Sequence, residues 1–301
     1  MRDFCWDAKS MAENIVERSI EHLKLHAADR KTLVLGVSGG ADSALVAALA
    51  SMVCAKTGLQ LVGRSMPTGS TTKEELDRSV LVGEAFCDDF AVSVSLDEIF
   101  YPVAAFLENW SAVKDPHKVK VRHGNIKARL RMICLYNLAH AKDGVVLSTD
   151  NYTEWLLGFW TEHGDVGNFG MIQNMWKSEV YNVMEYLVRH VYNSSDMKKQ
   201  AAALRACIDA LPTDGLGVSK SDFDQIFPEY DPNASAEANY KEVDRLLFEH
   251  AVCGNRMPKD CAVMKQHIKT MHKRNDPFNI PREHILHEPF YIHWHNKMED
   301  L

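Results

Sequence analysis

Leu33-Val-Leu-Gly-Val-Ser-Gly-Gly-Ala-Asp-Ser-Ala-Leu-Val-Ala-Ala-Leu49 is the stretch on which the fold turns. Leu33 to Val37 is an apolar run, the pattern of a strand buried in a parallel sheet. Ser38-Gly39-Gly40 breaks the run, and Asp42-Ser43 opens a segment rich in Ala and Leu, the composition of a buried helix. A strand, a glycine turn and a helix N-terminus together make an anion site. Free backbone N–H groups and the positive end of the helix dipole face one point, and the glycines let an oxyanion approach the backbone. The loop lacks the G-x-x-x-x-G-K-[ST] pattern with its lysine, and it is not G-x-G-x-x-G.

Around this stretch the chain reads as alternating strands and helices. Met11 to His26 has apolar residues at helical spacing and precedes the first strand. Leu59 to Pro67 is expected as a second strand, and Thr72-Lys-Glu-Glu caps a helix running to about Phe86. Phe90 to Val94 gives a third strand, Ile99 to Trp110 a helix and Lys114 to Lys118 a polar loop. Asn125 to Lys142 is a long helix and Gly144 to Thr149 a fourth strand. This β-α-β-α order predicts an α/β fold, a doubly wound parallel sheet flanked by helices, with ligands at the carboxyl ends of the strands. Beyond Gly158 the pattern turns mainly helical, with helices near 177–190, 196–210, 235–250 and 259–272. Pro212 to Asn233, with its glycines, prolines and aspartates, reads as a mobile loop.

Composition limits what such a chain can do. With 301 residues, 46% of them hydrophobic and 25% charged, it can bury a sizeable core and has the makeup of a soluble globular protein. A net charge of −7 argues against nucleic-acid binding. Seven dispersed cysteines without a C-x-x-C pair read as reduced thiols of a cytoplasmic protein. The N-terminal residues lack a signal peptide's apolar region, and no apolar run is long enough to cross a membrane.

Four further clusters carry candidate chemistry. In Gly124-Asn-Ile-Lys-Ala-Arg-Leu-Arg131 the two arginines are two apart on a helix and face different sides. One can point at a ligand while the other stays on the surface. In Ser148-Thr-Asp-Asn-Tyr-Thr-Glu154, Thr149 stands at a strand's carboxyl end, where a hydroxyl could contact nucleotide. Glu154 either closes an N-cap box or, with Asp42, supplies two carboxylates to one Mg²⁺, an ion that needs few protein ligands. Gly158-Phe-Trp-Thr-Glu-His-Gly-Asp165 is an aperiodic glycine, aromatic and aspartate segment, a candidate binding loop, and Lys177 opens the helix after it. Pro212-Thr213 and His272-Lys-Arg274 complete the set.

Ser-Gly-Gly-x-Asp-Ser after a strand is similar to the pyrophosphate loop of the N-type ATP pyrophosphatases, which split ATP into AMP and pyrophosphate. The charge balance speaks against that group's tRNA-modifying members, and the missing cysteine pairs against sulfur transfer. The ordered set of motifs resembles one family, the ammonia-dependent NAD synthetases. It is carried by Gly36-Val-Ser-Gly-Gly-Ala-Asp-Ser43, Gly124-Asn-Ile-Lys-Ala-Arg129, Ser148-Thr-Asp-x-x-x-Glu154, Gly158-Phe-x-Thr161, Gly164-Asp165, Lys177, Pro212-Thr213 and His272-Lys273. The likeness spans about residues 10–275, so residues 1–275 are read as one synthetase-like domain and 276–301, with His284, His287, His293 and His295, as a tail outside it.

The resemblance implies a role for each position. Gly36, Val37, Ser38, Gly39, Gly40, Ala41 and Ser43, with Thr149, Lys177 and Thr213, would hold ATP. Asp42 and Glu154 would hold Mg²⁺, with Asp42 and Lys177 as the catalytic pair. Arg129, Asp165, His272 and Lys273 would meet deamido-NAD. The implied reaction is an amide ligation in which the substrate carboxylate is adenylylated and ammonia then displaces AMP, giving NAD, AMP and pyrophosphate. Members of the family are homodimers. No glutaminase domain fits beside the synthetase region, so nitrogen is expected as free ammonia or from a separate protein. Two positions depart from the pattern: Glu162 stands where the family has a substrate-contacting lysine, and Phe169 where it has an aspartate. Both fall on the acceptor side and keep open the same chemistry on a different carboxylate; a non-catalytic nucleotide-binding homologue is a separate alternative, against which the intact Asp42 and Glu154 pair argues.

Overall fold

Alternate side chains of each strand point to opposite faces of a sheet, so a doubly wound fold needs two separate apolar layers. In the computed structural model, which describes residues 7–110, 114–213, 221–256 and 260–275, five strands supply them. They are β1 (Thr32–Gly36), β2 (Gln60–Ser65), β3 (Asp89–Val92), β4 (Gly144–Ser148) and β5 (Phe169–Gly170). The order is β3-β2-β1-β4-β5 and every pairing is parallel. Leu33 of β1 lies in register with Leu61 on one side and Val145 on the other. The chain leaves β1 toward β2 but returns beside β1 as β4, which opens a crevice at the carboxyl ends of β1 and β4.

The helices follow this division. α1 (Ala8–His26), α2 (Ala41–Thr57), α3 (Lys73–Phe86), α7 (Lys177–Tyr186), α8 (Lys198–Ile208) and α10 (Ala236–Leu247) share the larger core with Leu33, Leu35, Leu61, Val145 and Leu147. α5 (Pro116–Ala141) covers the opposite face, where Leu135 and Ala139 meet Val34, Val62 and Val146. α4 (Asp97–Glu108) docks on α5 through Phe100 and Leu130. α6 (Tyr152–Leu157), α9 (Asp222–Ile226) and α11 (Ala262–Lys269) complete the described helices. α2 is buried nearly all round, 11 of its 17 residues being out of water. Its alanines let the neighbouring helices approach closely, and truncating Leu45 or Leu49 there would cost about 2–5 kcal/mol.

The sequence expectations hold for the sheet and shift at its edges. α5 begins at Pro116 rather than Asn125, because Asp115 caps it by accepting from the His117 and Lys118 N–H groups. The polar stretch at 114–118 is therefore a helix start, with proline in the first turn. The loop expected over 212–233 contains α9, whose Phe223 and Ile226 are buried and whose Asp222 accepts from the Tyr240 hydroxyl at 2.9 Å. β5, two residues long, is too short to leave a periodic signal. The tail from 276 lies outside the described residues, as do residues 214–220.

Candidate active site

The turn after β1 is held from within. The Val37 N–H donates to the Arg64 carbonyl, so the chain leaves the sheet only at Ser38. Ser38 and Ser43 hydroxyls lie 3.0 Å apart, the Ser43 hydroxyl donates to the Gly40 carbonyl, and the Gly40 N–H donates to Ser38 Oγ at 3.2 Å. Gly39 has φ of +82°, and a Cβ there would fall 2.5 Å from the Glu75 carbonyl oxygen of α3, so glycine is required on both counts. Gly36 ends β1, and Ala41 is the first residue of α2. Gly40 caps α2 without a side chain, which leaves the positive end of this long helix facing the turn.

Asp42 projects from the first turn of α2 and is fixed from two other elements. Its Oδ1 accepts from Asn151 Nδ2 at 2.9 Å, and its Oδ2 accepts from Lys177 Nζ. Asn151, fully buried, is also the N-cap of α6, accepting from the Glu154 N–H while Glu154 Oε2 faces the Asn151 N–H. Glu154 Oε1 accepts from Lys177 Nζ at 2.8 Å. The cap box, one of the two alternatives in the sequence, is therefore formed, and it leaves the other Glu154 oxygen for Lys177. Lys177, only 4% exposed, bridges the two carboxylates. Burial works to lower its pKa, but Asp42 and Glu154 outweigh it and hold the ammonium well above its ordinary range. Burial, and then Asp42, push the Glu154 carboxyl up to about 8 against the pull of Lys177.

Lys177 is placed by groups from a distant part of the chain. Its N–H donates to Thr153 Oγ1 at 2.8 Å; the Thr153 hydroxyl donates to Asp244 Oδ1, and Asp244 Oδ2 accepts from the Ser178 N–H at 2.9 Å. Asp244 comes from α10 and is 2% exposed, with burial pushing its pKa up to about 6. The Lys177 ammonium also lies 5.5 Å from the Tyr240 ring centroid. Sequence reading found Lys177 and missed Asn151 and Asp244; Asn151 could have been found as the residue three before Glu154 at a helix start, whereas Asp244 stands among other charged helical residues and gives no such signal.

Thr149 follows β4 directly and is half-buried. Thr213 is exposed, and its hydroxyl donates to Glu75 Oε1 at 3.0 Å, which sets it against the same turn of α3 that packs on Gly39. Asp150 stands between the two halves of the crevice. It accepts from the Ser148 hydroxyl at 2.7 Å, and burial foremost raises its pKa, with Asp42 adding to the effect.

The other half gathers Arg129, Asp165 and Lys273. Gly158 ends α6 at φ +69° and lies so close to Thr270 that a Cβ would meet it at 2.4 Å. Lys273 Nζ donates to the Gly158 carbonyl at 2.6 Å and to the Trp160 carbonyl. Arg129, exposed on α5, donates to the Glu162 carbonyl at 2.9 Å. Asp165 Oδ2 accepts from the Thr161 N–H at 2.7 Å, while its Oδ1 and the indole N–H of Trp160 are buried with no partner in the protein. Burial, with Asp150 next, pushes Asp165 up to about 7. His272 is exposed beside Lys273 in the short turn Met271–Asn275.

Two expectations change here. Arg131, the arginine expected on the surface if Arg129 faced a ligand, is largely desolvated, with Nε donating to the Met66 carbonyl at 3.4 Å and burial lowering its pKa. Phe169 belongs to β5, paired with Leu147, and its ring stacks on His22 of α1 at 4.7 Å, so it serves packing. Lys177 is fully engaged by Asp42 and Glu154 and does not neutralise Glu162. The cation that feels Glu162 is Lys273.

Asp42 and Glu154 converge on the Lys177 ammonium, and each offers only oxygen, the donor a hard divalent cation also takes. No cluster of three or more His, Cys, Asp and Glu suited to a metal occurs among the described residues. Two carboxylates suffice for Mg²⁺, which keeps phosphate oxygens and water in its shell.

Comparison with known proteins agrees with this arrangement. Residues 14–277 match the NAD synthase family model. An NH(3)-dependent NAD(+) synthetase of Mycoplasmopsis pulmonis is 31% identical over 253 residues, 84% of this chain and 83% of that protein. One of Thermoplasma volcanium is 30% identical over 268 residues, 88% of this chain and 96% of that protein. In fold, the chain is similar to an NMN synthetase from Francisella tularensis (TM-score 0.70, 22% identity, 91% of this chain and 99% of that one). It is also similar to an NH3-dependent NAD synthetase from Campylobacter jejuni (TM-score 0.64, 22% identity, 92% and 100%). The doubly wound sheet, the glycine turn and the carboxylate–lysine cluster thus sit in a chain that belongs to the NAD synthase family.

Proposed function

We infer that this protein is an ATP-dependent amide ligase that converts deamido-NAD and ammonia to NAD, AMP and pyrophosphate. Family membership carries the reaction, and the observation in the molecule that supports it best is Lys177 shared between Asp42 and Glu154 beside the open end of α2. A deamido-NAD carboxylate oxygen attacks the α-phosphorus of ATP and the bond to the β-phosphate breaks, forming an acyl-adenylate and releasing pyrophosphate. Ammonia then attacks the acyl carbon and AMP departs with the adenylate oxygen.

Charge builds on the departing pyrophosphate, and the backbone N–H groups at the start of α2 with the Lys177 ammonium are the donors set to receive it. Asp42 and Asn151 keep that ammonium from turning away. Mg²⁺, held by Asp42 and Glu154, would neutralise phosphate oxygens as a Lewis acid. Thr149 and Thr213 are proposed to contact the nucleotide, and Arg129, Asp165, His272 and Lys273 the dinucleotide. The unpartnered Asp165 Oδ1 supports the last of these, since a buried acceptor without a partner is stabilised when a ligand donor reaches it.

We place the protein in the cytoplasm, the compartment suited to its six described cysteines, all free thiols. A homodimer is proposed as well. α4, the turn that follows it and α5 leave Tyr101, Phe106, Trp110 and Ile133 exposed, more apolar surface than a lone chain needs to show. Sedimentation at micromolar concentration should give a dimer, and a monomer there removes the proposal. The reaction itself is tested by supplying ATP, Mg²⁺ and ammonia with deamido-NAD or with nicotinate mononucleotide as the competing acceptor. NAD and AMP should form in equal amounts from the first. A faster reaction with the second would move the substrate assignment and leave the chemistry in place.

A further inference from the structure

We propose that Arg78 and Cys207 are positioning residues of the pyrophosphate loop, fixing the Gly39–Gly40 peptide with its carbonyl withdrawn from the nucleotide and its N–H turned toward it. The inference rests on the 36–43 loop being the place where the phosphates of ATP bind. It adds two residues, from α3 and α8, that no loop motif contains.

The Gly39 carbonyl accepts from Arg78 Nε at 3.0 Å and from Cys207 Sγ at 3.4 Å. A peptide is planar and trans, so its C=O and N–H point in opposite directions. Anchoring the carbonyl toward α3 and α8 therefore sends the Gly40 N–H the other way, where it meets Ser38 Oγ on the exposed side of the turn. A peptide between two glycines is the one most free to rotate, because neither flanking residue has a Cβ to oppose it. Unanchored, it would present its oxygen to a phosphate part of the time, replacing an attraction by a repulsion.

The anchor is rigid. α3 packs so closely on Gly39 that a Cβ would lie 2.8 Å from the Ser79 N, and buried Ser79 is tied to β2 by a 2.9 Å contact between its hydroxyl and that of Ser65. Cys207 is 1% exposed and lies behind the turn, where no ligand reaches it. Burial pushes its thiol up to about 12, so it keeps its proton and remains a donor. A guanidinium donor adds more than geometry. By drawing electron density into the carbonyl it strengthens the N–H at the other end of the same peptide.

Calorimetry with pyrophosphate in the presence of Mg²⁺, and separately with AMP, tests the idea on Arg78→Ala, Arg78→Lys, Cys207→Ala and Cys207→Ser. Arg78→Ala should weaken pyrophosphate about 10- to 100-fold, in the range of losing one hydrogen bond from a charged group. It should raise KM for ATP in step and leave AMP affinity and KM for deamido-NAD within twofold. Cys207→Ala should weaken pyrophosphate about 2- to 5-fold and Cys207→Ser should restore it. Added guanidinium ion should recover part of the loss in Arg78→Ala, which general damage to the fold would not allow. Where Arg78→Ala fails to fold, Arg78→Lys and the Cys207 pair carry the same comparison. Unchanged pyrophosphate binding in Arg78→Ala overturns the clamp while the loop assignment stands. A loss in Arg78→Ala with none in Cys207→Ala also overturns it, making Arg78 a direct phosphate contact. A wild type that does not bind pyrophosphate removes the loop assignment and the clamp with it.

Discussion

The two halves of the crevice are built in opposite ways. On the nucleotide side, Asp42 has both carboxylate oxygens occupied by Asn151 and Lys177, and Lys177 is further fixed through Thr153 and Asp244. On the acceptor side, Asp165 keeps one oxygen without a partner, Trp160 has a buried unpaired indole N–H, and Arg129 and Lys273 are used on backbone carbonyls. The first half is tied in place by these bonds, so under the proposed assignment its donors and acceptors would need little reorganisation when ATP arrives. The second keeps polar groups that the proposed ligand would complete. Variants on the nucleotide side should therefore lose rate, and variants on the acceptor side should change affinity, pH dependence or ligand-free stability.

The sharpest way to break this contrast is Asp42→Asn. The change keeps the shape and the bond from Asn151, and removes one charge facing Lys177. Turnover should fall by about two to three orders of magnitude with the fold intact, the scale of losing a key electrostatic stabiliser. Near wild-type turnover at saturating Mg²⁺ would mean that Asp42 holds neither metal nor lysine in the reaction.

Asp244→Ala probes the same side from behind. It leaves the buried Thr153 hydroxyl and the Ser178 N–H without their acceptor, each loss costing about 1–3 kcal/mol. Thermal unfolding should shift down accordingly, and turnover should fall about tenfold as Lys177 loosens. A variant that loses stability at full turnover would show that Thr153 alone fixes the lysine.

Asp165→Asn tests the other side through pH. In the folded protein this carboxyl is raised to about 7, whereas the unfolded chain ionises near 3.8. The unfolded state therefore gives up its proton first, and the stability contributed by Asp165 is full below about pH 4 and lost as pH rises through 7. Asparagine keeps an acceptor for the Thr161 N–H and has no such loss. Without ligands, the variant should gain on the wild type between pH 4 and 7.5, by about 4 kcal/mol or several degrees in Tm at the upper end. A constant difference across that range would mean that the carboxyl is ionised in the fold.

The contrast also explains what could be read from the chain. The strand, turn and first helical turn at 33–49 are contiguous, so one stretch declares β1, α2 and Asp42 together, and glycine spacing makes the anion site visible. Glu154 and Lys177 were legible because each opens a helix beside a strand end. Asp244 and Arg78 were not: each acts only through long-range bonds, and an aspartate or arginine on a helix otherwise reads as a solvated face. β5 was lost because two residues have no period, and the true start of α5 because Lys114 to Lys118 is polar, although Asp-Pro is itself a helix-start pair. Phe169 was misplaced for a related reason. Its partner in packing, His22, lies at the far end of the sequence in α1.

Glu162 carries the smallest expected effect and decides whether the acceptor side departs from the family in function or only in spelling. Judged by sequence, a carboxylate in place of a lysine should repel an anionic dinucleotide, by about 4 kcal/mol for like charges 4 Å apart at an effective dielectric near 20, and by less where water enters. In the folded chain, the half-buried Glu162 acts on Lys273, whose pKa burial lowers and Glu162, then Asp165, push back up. The Glu162 carboxylate therefore lies within reach of a cation from the other end of the domain, and the Glu162 backbone carbonyl takes the Arg129 guanidinium. Phe169 is accounted for by packing, so the pair of substitutions no longer points jointly at the acceptor. Glu162→Lys should then change KM for deamido-NAD by no more than about threefold, since it removes a partner from Lys273 as it adds a cation. A tenfold fall in KM would show that Glu162 faces the ligand, and that this half of the crevice has been altered for a different carboxylate.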